Sequence, residues 1–320
     1  MLMEVKFGMN MILLGAAGFI GTNLTLALAK QPENQITVVS RRRASFADVD
    51  AMALPNVRFV ECDLVEEPDF THLLVGQDVV FHLLSTTVPT TSNLQISQEL
   101  TANVVHSAKL FEACAACGVK KVVFFSSGGT VYGKAAACPL HEDTPTDPIT
   151  SYGIQKLTIE KLLYLYHHMY GFDYRIIRLA NPYGPYQRPN GVLGAVTTFT
   201  YKALKNEPII VYGDGSVVRD FLYIDDAVRG ILNIVNGDAP ERVFNLGSGH
   251  GTSIREVLDT IRQELAIEPE IIWQPSRTVD VPVNYLDIGR YEQAYGALNP
   301  IPLRIGIRKT ADFLKQYYHL

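Results

Sequence analysis

The sequence predicts an α/β fold: a doubly wound parallel sheet followed by a smaller C-terminal α/β lobe. Three observations lead there. Short runs rich in Val, Ile and Phe recur through the first half, segments with helix-spaced apolar residues separate them, and the rhythm breaks at a Pro/Gly cluster after residue 180.

Residues 11–14, 36–39, 57–60, 79–83, 122–125 and 174–179 read as strands. They are near-continuously apolar rather than alternating, which suits strands covered on both faces of a parallel sheet. Between them, 20–29, 98–117 and 152–170 read as helices, and repeated strand–helix–strand units imply double winding. The chain leaves this pattern at Asn181-Pro182-Tyr183-Gly184-Pro185. A helix over 193–204 follows, then a hairpin of 209–212 and 217–224 about Gly213-Asp214-Gly215. A helix over 225–235, a strand over 243–246 and helices over 254–265 and 309–318 complete the reading. No internal repeat or low-complexity linker interrupts it.

The 320 residues are 47% hydrophobic, enough for a large core. Charged residues make up 19% and the net charge is −5, which gives no reason to expect a nucleic-acid partner or an anionic membrane surface. No segment reaches the roughly 18 consecutive apolar residues of a bilayer span. The start carries Glu4 and Lys6 and does not read as a secretory signal, although methionines at 1, 3 and 9 leave the start codon open. A cytoplasmic protein is expected. The four cysteines, Cys62, Cys114, Cys117 and Cys138, are too scattered for a disulfide framework. Cys114-x-x-Cys117 lies within a helical run without a second ligand pair, so it reads as small core residues, and no metal site is expected.

Gly15-Ala16-Ala17-Gly18-Phe19-Ile20-Gly21 follows the first strand and opens the first helix. The first glycine permits a tight turn, the second lets backbone approach a pyrophosphate, and the third lets helix and strand pack closely. Helix-start N–H groups then face the phosphates, as in a Rossmann-type sheet. A second glycine stretch, Gly247-Ser248-Gly249-His250-Gly251, also sits between strand and helix, but Ser253 and Glu256 have capping-box spacing, so it reads as structural. At the tip of the second strand an acidic residue would bind the adenosine ribose. Here stand Ser40-Arg41-Arg42-Arg43, and two readings remain open: a seat for a 2′-phosphate, or a solvated basic loop.

Tyr152-Gly153-Ile154-Gln155-Lys156 is Y-x-x-x-K at a helix start, with both side chains on one face. An ammonium near a phenol favours the phenolate and lowers its pKa from about 10, which makes Tyr152 a proton-transfer candidate beside a hydride acceptor. The motif follows Phe124-Phe125-Ser126-Ser127-Gly128-Gly129-Thr130-Val131-Tyr132-Gly133.

On these motifs, with Asp63-Leu64, the Asn181-Pro182-Tyr183-Gly184-Pro185 loop and Arg219-Asp220-Phe221, the chain resembles the extended short-chain dehydrogenase/reductases, and within them the NAD-dependent sugar epimerase/dehydratase group. The resemblance runs from about residue 11 to the C-terminus. It implies a dinucleotide-binding domain over 1–180, with 221–247 returning to it, and a nucleotide-sugar-binding lobe from 181–220 and 248–320. Tyr152 would be the general base, and Lys156 would bond the nicotinamide ribose. Gly15, Gly18, Phe19, Ile20 and Gly21 would hold the phosphates, and Ser40 and Arg41 would meet the adenosine ribose. Asp63 and Leu64 would flank the adenine. Leu83, Leu84, Ser85 and Ser126 would line the cofactor, with Asn103 supporting that region. Ser127, Asn181, Tyr212, Arg219, Arg277 and Asn284 would bind the sugar nucleotide, Tyr212 at the base and the two arginines at the diphosphate. A small residue at 284 would leave room for an N-acetyl group.

One departure stands out. The position of the group's catalytic Ser or Thr falls on Gly128, so a helper hydroxyl must come from Thr130, the preferred choice, or from Ser127. The acidic pair of sugar dehydratases is replaced by Gly129 and Thr130, which argues against dehydration. The expected activity is therefore C4 epimerisation of a nucleotide-diphosphate hexose, UDP-glucose/galactose or their N-acetylamino forms, with NAD and without exclusion of NADP. The alternatives are an NADP-dependent reductase of a keto-sugar nucleotide and a non-catalytic NAD(P)-sensing protein. A homodimer formed through helices 98–117 and 152–170 is expected from the resemblance alone.

Overall fold

The computed structural model describes residues 8–50, 52–64, 69–87, 92–134, 137–189, 194–276 and 281–320. Along the first half run β1 (Asn10–Leu14), α1 (Phe19–Leu28), β2 (Gln35–Ser40), α2 (Ala47–Asp50), β3 (Val57–Glu61), α3 (Thr71–Leu74) and β4 (Val79–His82). After them come α4 (Ile96–Leu100), α5 (His106–Ala116), β5 (Lys121–Ser127), α6 (Ser151–Tyr170) and β6 (Asp173–Leu179). The remainder holds β7 (Asn181–Tyr183), α7 (Ala195–Leu204), β8 (Ile209–Tyr212), β9 (Val218–Arg219), β10 (Phe221–Tyr223), α8 (Ile224–Asn236) and β11 (Val243–Leu246). Last are β12 (Thr252–Ser253), α9 (Ile254–Leu265), β13 (Ile271–Gln274), β14 (Val283–Asn284), α10 (Gly289–Tyr295) and α11 (Leu303–Tyr318).

A seven-stranded sheet has the order β11-β6-β5-β4-β1-β2-β3. The pairings of β1 with β2 and β4, of β2 with β3 and of β4 with β5 are parallel. In β4 every residue is buried, and in β1 every residue but the first, as strands covered on both faces must be. The winding runs outward from β1 through β2 to β3, then restarts beside β1 at β4. This reversal is the switch point at which open α/β sheets bind ligands beyond the strands' carboxyl ends.

The chain divides into two compact units. One comprises Met1–Thr87, Leu94–Phe125 and Thr158–Ile176, and the other Val88–Asn93, Ser126–Leu157 and Ile177–Leu320. Among the described residues no helix is long and apolar enough to cross a membrane.

Two sequence expectations are corrected. The 209–224 hairpin does not form: β8 pairs with β13, β9 with β12 and β14, and β10 with β7. At the turn, Asp214 Oδ1 accepts from the Ser216 N–H and hydroxyl at 3.0 and 2.6 Å. The next segment then docks on the start of α9, where the Arg255 N–H reaches the Gly215 carbonyl at 2.9 Å and the Ile254 N–H reaches that of Val217 at 3.0 Å. The 98–117 helix is also not uniform, since a π-helical turn, Thr101–Val105, separates α4 from α5. Such turns widen a helix locally and often mark functional places.

Candidate active site

In the first unit, β1 ends at Gly15, whose φ of +84° suits only glycine without strain. A Cβ there would stand 3.2 Å from the backbone of Leu83 and Leu84, so the turn lies against the segment leaving β4. Gly21 packs on the Ala16 backbone, where a Cβ would collide, and this fixes the angle of α1 to β1. Gly18 differs: a Cβ would meet nothing nearer than the Gly15 carbonyl at 3.8 Å. Gly18 is also the N-cap of α1 and has no side-chain cap bond. Bare backbone at the start of a ten-residue helix fits a pyrophosphate, in both space and donor chemistry.

Around this turn the other expected residues fall in order. Leu83 donates its N–H to Leu14 at 3.0 Å, Leu84 is half-buried, and exposed Ser85 bonds the Thr87 carbonyl at 2.8 Å. Asn103, buried in the π turn, accepts from the Thr86 N–H and hydroxyl at 2.9 and 3.2 Å, and so pins the loop after β4. Leu64 is buried and Asp63 half-buried just beyond β3. Ser40 closes β2, and Arg41 and Arg42 are exposed. Arg43 is already engaged, paired with Asp50 at 2.7 Å and lying over the Phe59 ring.

In the second unit, Ser92 Oγ and Asn93 Oδ1 accept the N–H groups of Tyr152 and Ser151 at 3.1 and 2.9 Å, which fixes the start of α6. A Cβ on Gly153 would lie 2.7 Å from the Thr130 carbonyl, so only glycine lets the helix start abut the loop after β5. Lys156 is buried, with its Nζ 5.5 Å from the centre of the Tyr152 ring. From the Y-x-x-x-K spacing this ammonium is expected to lower the phenol; instead, burial pushes Tyr152 up to about 12. Desolvation of the phenolate outweighs the lysine at that distance.

The loop after β5 carries Ser126, buried, and Ser127, half-buried. Gly128 donates to the Leu179 carbonyl at 2.9 Å. A Cβ on it would meet Leu286 Cδ1 at 2.5 Å and the Arg178 carbonyl at 3.1 Å. A side chain at 128 would therefore enter packed protein, which leaves the hydroxyls of Ser127 and Thr130. Thr130 Oγ1 is buried without a hydrogen-bond partner among the described residues. Two residues on, Tyr132 is held by Asn245 at 2.6 Å and Arg178 at 3.0 Å, and Arg178 also bonds the Glu142 carbonyl.

Three of the remaining expected residues, Asn181, Arg219 and Asn284, lie on β7, β9 and β14. Asn284 on β14 is buried, and its amide nitrogen reaches the Gly128 carbonyl at 3.4 Å. On β9, Arg219 lies opposite Asn284 in parallel register, and its guanidinium donates to the Val218 and Val281 carbonyls at 2.9 and 2.6 Å. Asn181 donates from both its backbone and its side chain to the Asp220 carbonyl. Tyr212 is exposed at the end of β8, and Arg277 lies outside the described residues. Arg178, Asn245, Leu286 and the carboxylate of Asp220 also hold this site and are not evident from the sequence motifs. Only Asp220 had a signal, its place within Arg219-Asp220-Phe221.

A glycine turn at the switch point and a Tyr/Lys pair on a helix start define a dinucleotide-dependent enzyme class built on the doubly wound sheet. Residues 11–247 match the NAD dependent epimerase/dehydratase family, and the chain belongs to it. It is similar to the UDP-glucose 4-epimerase of Mycolicibacterium smegmatis, 33% identical over 311 residues, which cover 96% of this chain and 99% of the relative. Among solved structures it is similar to the UDP-glucose 4-epimerase of Thermotoga maritima with UDP-glucose, at a TM-score of 0.88 and 30% identity, covering 97% of this chain and 100% of that one. The UDP-glucuronic acid 4-epimerase of Bacillus cereus, in complex with UDP-glucuronic acid and NAD, has a TM-score of 0.88 and 26% identity, with the same coverage.

Proposed function

We propose that the protein is an NAD-dependent epimerase that inverts C4 of a UDP-hexose, glucose/galactose or their N-acetylamino forms. The observation that carries this is contiguity within the second unit. Tyr152 and Lys156 open a helix that abuts the loop of Ser127 and Thr130, and that loop is bonded through Gly128 to Asn284, itself paired with Arg219. An acid–base pair, hydroxyls and a diphosphate-binding arginine are the parts such a reaction needs.

The Gly15–Gly21 turn would hold the NAD pyrophosphate, with Ser40 and Arg41 at the adenosine ribose and Asp63 and Leu64 at the adenine. Leu83 to Ser85, Asn103 and Ser126 would line its course, and Tyr152 and Lys156 would reach the nicotinamide ribose. Held there, NAD would supply the hydride chemistry at C4. In its phenolate form Tyr152 would accept the proton of the C4 hydroxyl as that carbon becomes a ketone, and give it back after the sugar has presented its other face. Thr130 or Ser127 relays between this phenol and the hydroxyl. Arg219, with Arg277, holds the diphosphate bidentately while the sugar turns. Asn181 and Tyr212 bind the sugar nucleotide, and Asn284 leaves room for an N-acetyl group. Exposed Ile154, Tyr164, Leu165, Met169 and Tyr170 on α6 support a homodimer.

A second reading, an NADP-dependent reductase of a keto-sugar nucleotide, draws on Ser40 and the exposed Arg41 and Arg42. One experiment separates the readings. Purified protein is incubated with UDP-glucose, UDP-galactose and their N-acetylamino forms, C4 is followed by NMR, and reduced nicotinamide by absorbance. C4 inversion without net nicotinamide turnover supports the epimerase, net NADPH consumption the reductase, and cofactor binding without any turnover a sensor.

A further inference from the structure

The stretch Gly247-Ser248-Gly249, which resembles a phosphate-binding turn, has an occupant from its own chain. Asp220 is fully buried, and its Oδ1 accepts from both the N–H and the hydroxyl of Ser248 at 2.7 Å. Its Oδ2 accepts the Leu286 N–H at 3.2 Å, just past β14. A Cβ on Gly247 would collide with Oδ2, so glycine there is a condition of the carboxylate's seat. The helix that follows needs no ligand, because Ser253 and Glu256 form a capping box.

The same residue acts through its backbone. The Asp220 carbonyl accepts from Asn181 N and Nδ2 at 2.9 and 3.0 Å. Its chain neighbour Arg219 lies opposite Asn284. One buried residue thus ties together the segments that carry Asn181, Arg219 and Asn284. Every one of these contacts to the carboxylate is a donor, so an amide at 220 would set an NH2 group against an N–H or a hydroxyl. Burial pushes the Asp220 carboxyl above its ordinary value, and the N–H groups and hydroxyl that face it offset part of that, as in an anion nest.

We propose that Asp220 is the positioning residue of the sugar-nucleotide subsite, its carboxylate lodged in the Gly247–Gly249 turn so that Arg219 and Asn284 keep the register in which they meet diphosphate and sugar. This rests on the epimerase reading above. UDP is the probe, titrated calorimetrically into the full-length protein and three variants. Ser248→Ala removes one bond to Oδ1, Gly247→Ala crowds Oδ2 and Asp220→Asn reverses an acceptor. The two turn variants are expected to weaken UDP about tenfold, the scale of one charge-assisted bond, and Asp220→Asn to weaken it further. KM for the UDP-sugar should rise more than kcat falls, while NAD affinity stays put. A merely structural role would lower Tm and leave UDP affinity of the folded protein intact, which would overturn the proposal. Should Asp220→Asn fail to fold, the two turn variants decide. If the wild-type protein binds no UDP, the epimerase reading falls and this inference with it; if it binds UDP and the variants bind equally well, only the inference falls.

Discussion

Restoring the hydroxyl at position 128 is expected to harm the protein. Gly128→Ser would place a Cβ 2.5 Å from Leu286 Cδ1 and 3.1 Å from the Arg178 carbonyl. Leu286 is fully buried and packs with Val131, Tyr132 and Leu140, so it has little room to yield. The backbone at 128 is also held, by its bond to the Leu179 carbonyl and by the Asn284 amide on its own carbonyl. Overpacking of this kind costs about 1–3 kcal/mol. For a chain of this size that corresponds to a fall in Tm of about 1–5 °C. Movement of the loop would displace Ser127, Thr130 and Asn284 together, so kcat/KM for the UDP-sugar should fall despite the added hydroxyl. Thermal unfolding by circular dichroism and initial rates on the same preparations measure both effects. Adding Leu286→Ala should relieve part of the Gly128→Ser penalty, a coupling that a double-mutant cycle reads directly. A Gly128→Ser protein that melts with the wild type and turns over faster would refute the reasoning.

Three further outcomes follow from the same geometry. Thr130→Val removes a buried hydroxyl that has no hydrogen-bond partner among the described residues. Because an unsatisfied buried group costs about 1–3 kcal/mol, Tm should hold or rise, while kcat should fall if Thr130 is the helper; parallel rates for Ser127→Ala assign the role. Gly153→Ala should lose about 10–100-fold in kcat, the scale of misplaced acid–base catalysis, because its Cβ would press on the Thr130 carbonyl at 2.7 Å. Helix propensity alone would predict a gain of about 1 kcal/mol in stability, so an active, stabilised variant would count against the close approach. In the cofactor-free protein, Tyr152 has its pKa raised by burial to about 12. Its stabilising contribution is then complete below the ordinary phenol value of about 10 and fades as pH climbs from there to about 12. Tyr132 and Tyr166 are also raised to about 12, so Tyr152→Phe should blunt, without abolishing, the drop in Tm between these limits.

What could be read from the chain alone was what depends on local composition. β1 and β4 declare themselves because strands covered on both faces need uninterrupted apolar residues, and Gly15 to Gly21 because three separate steric demands fall at fixed spacing. What escaped depends on partners distant in sequence. The glycine turn at 213–215 looks like a hairpin turn, yet the strands that β8 and β9 pair with are over sixty and over thirty residues away, and β12 and β14 have two residues each, too few to show a period. The π turn at Thr101–Val105 leaves the apolar spacing of its helix unbroken while turning Asn103 to the loop after β4. The phenol's environment is hidden for a similar reason. A lysine four residues along is visible in the sequence; the protein that strips water from Tyr152 is not.

The most direct test replaces the Tyr152 phenol with phenylalanine and follows C4 configuration by NMR beside calorimetric titration of UDP. Loss of at least about 100-fold in C4 inversion, with UDP affinity and NAD binding retained, is the expected result. Undiminished inversion in the Tyr152→Phe protein would contradict a phenol that carries the proton of the sugar hydroxyl.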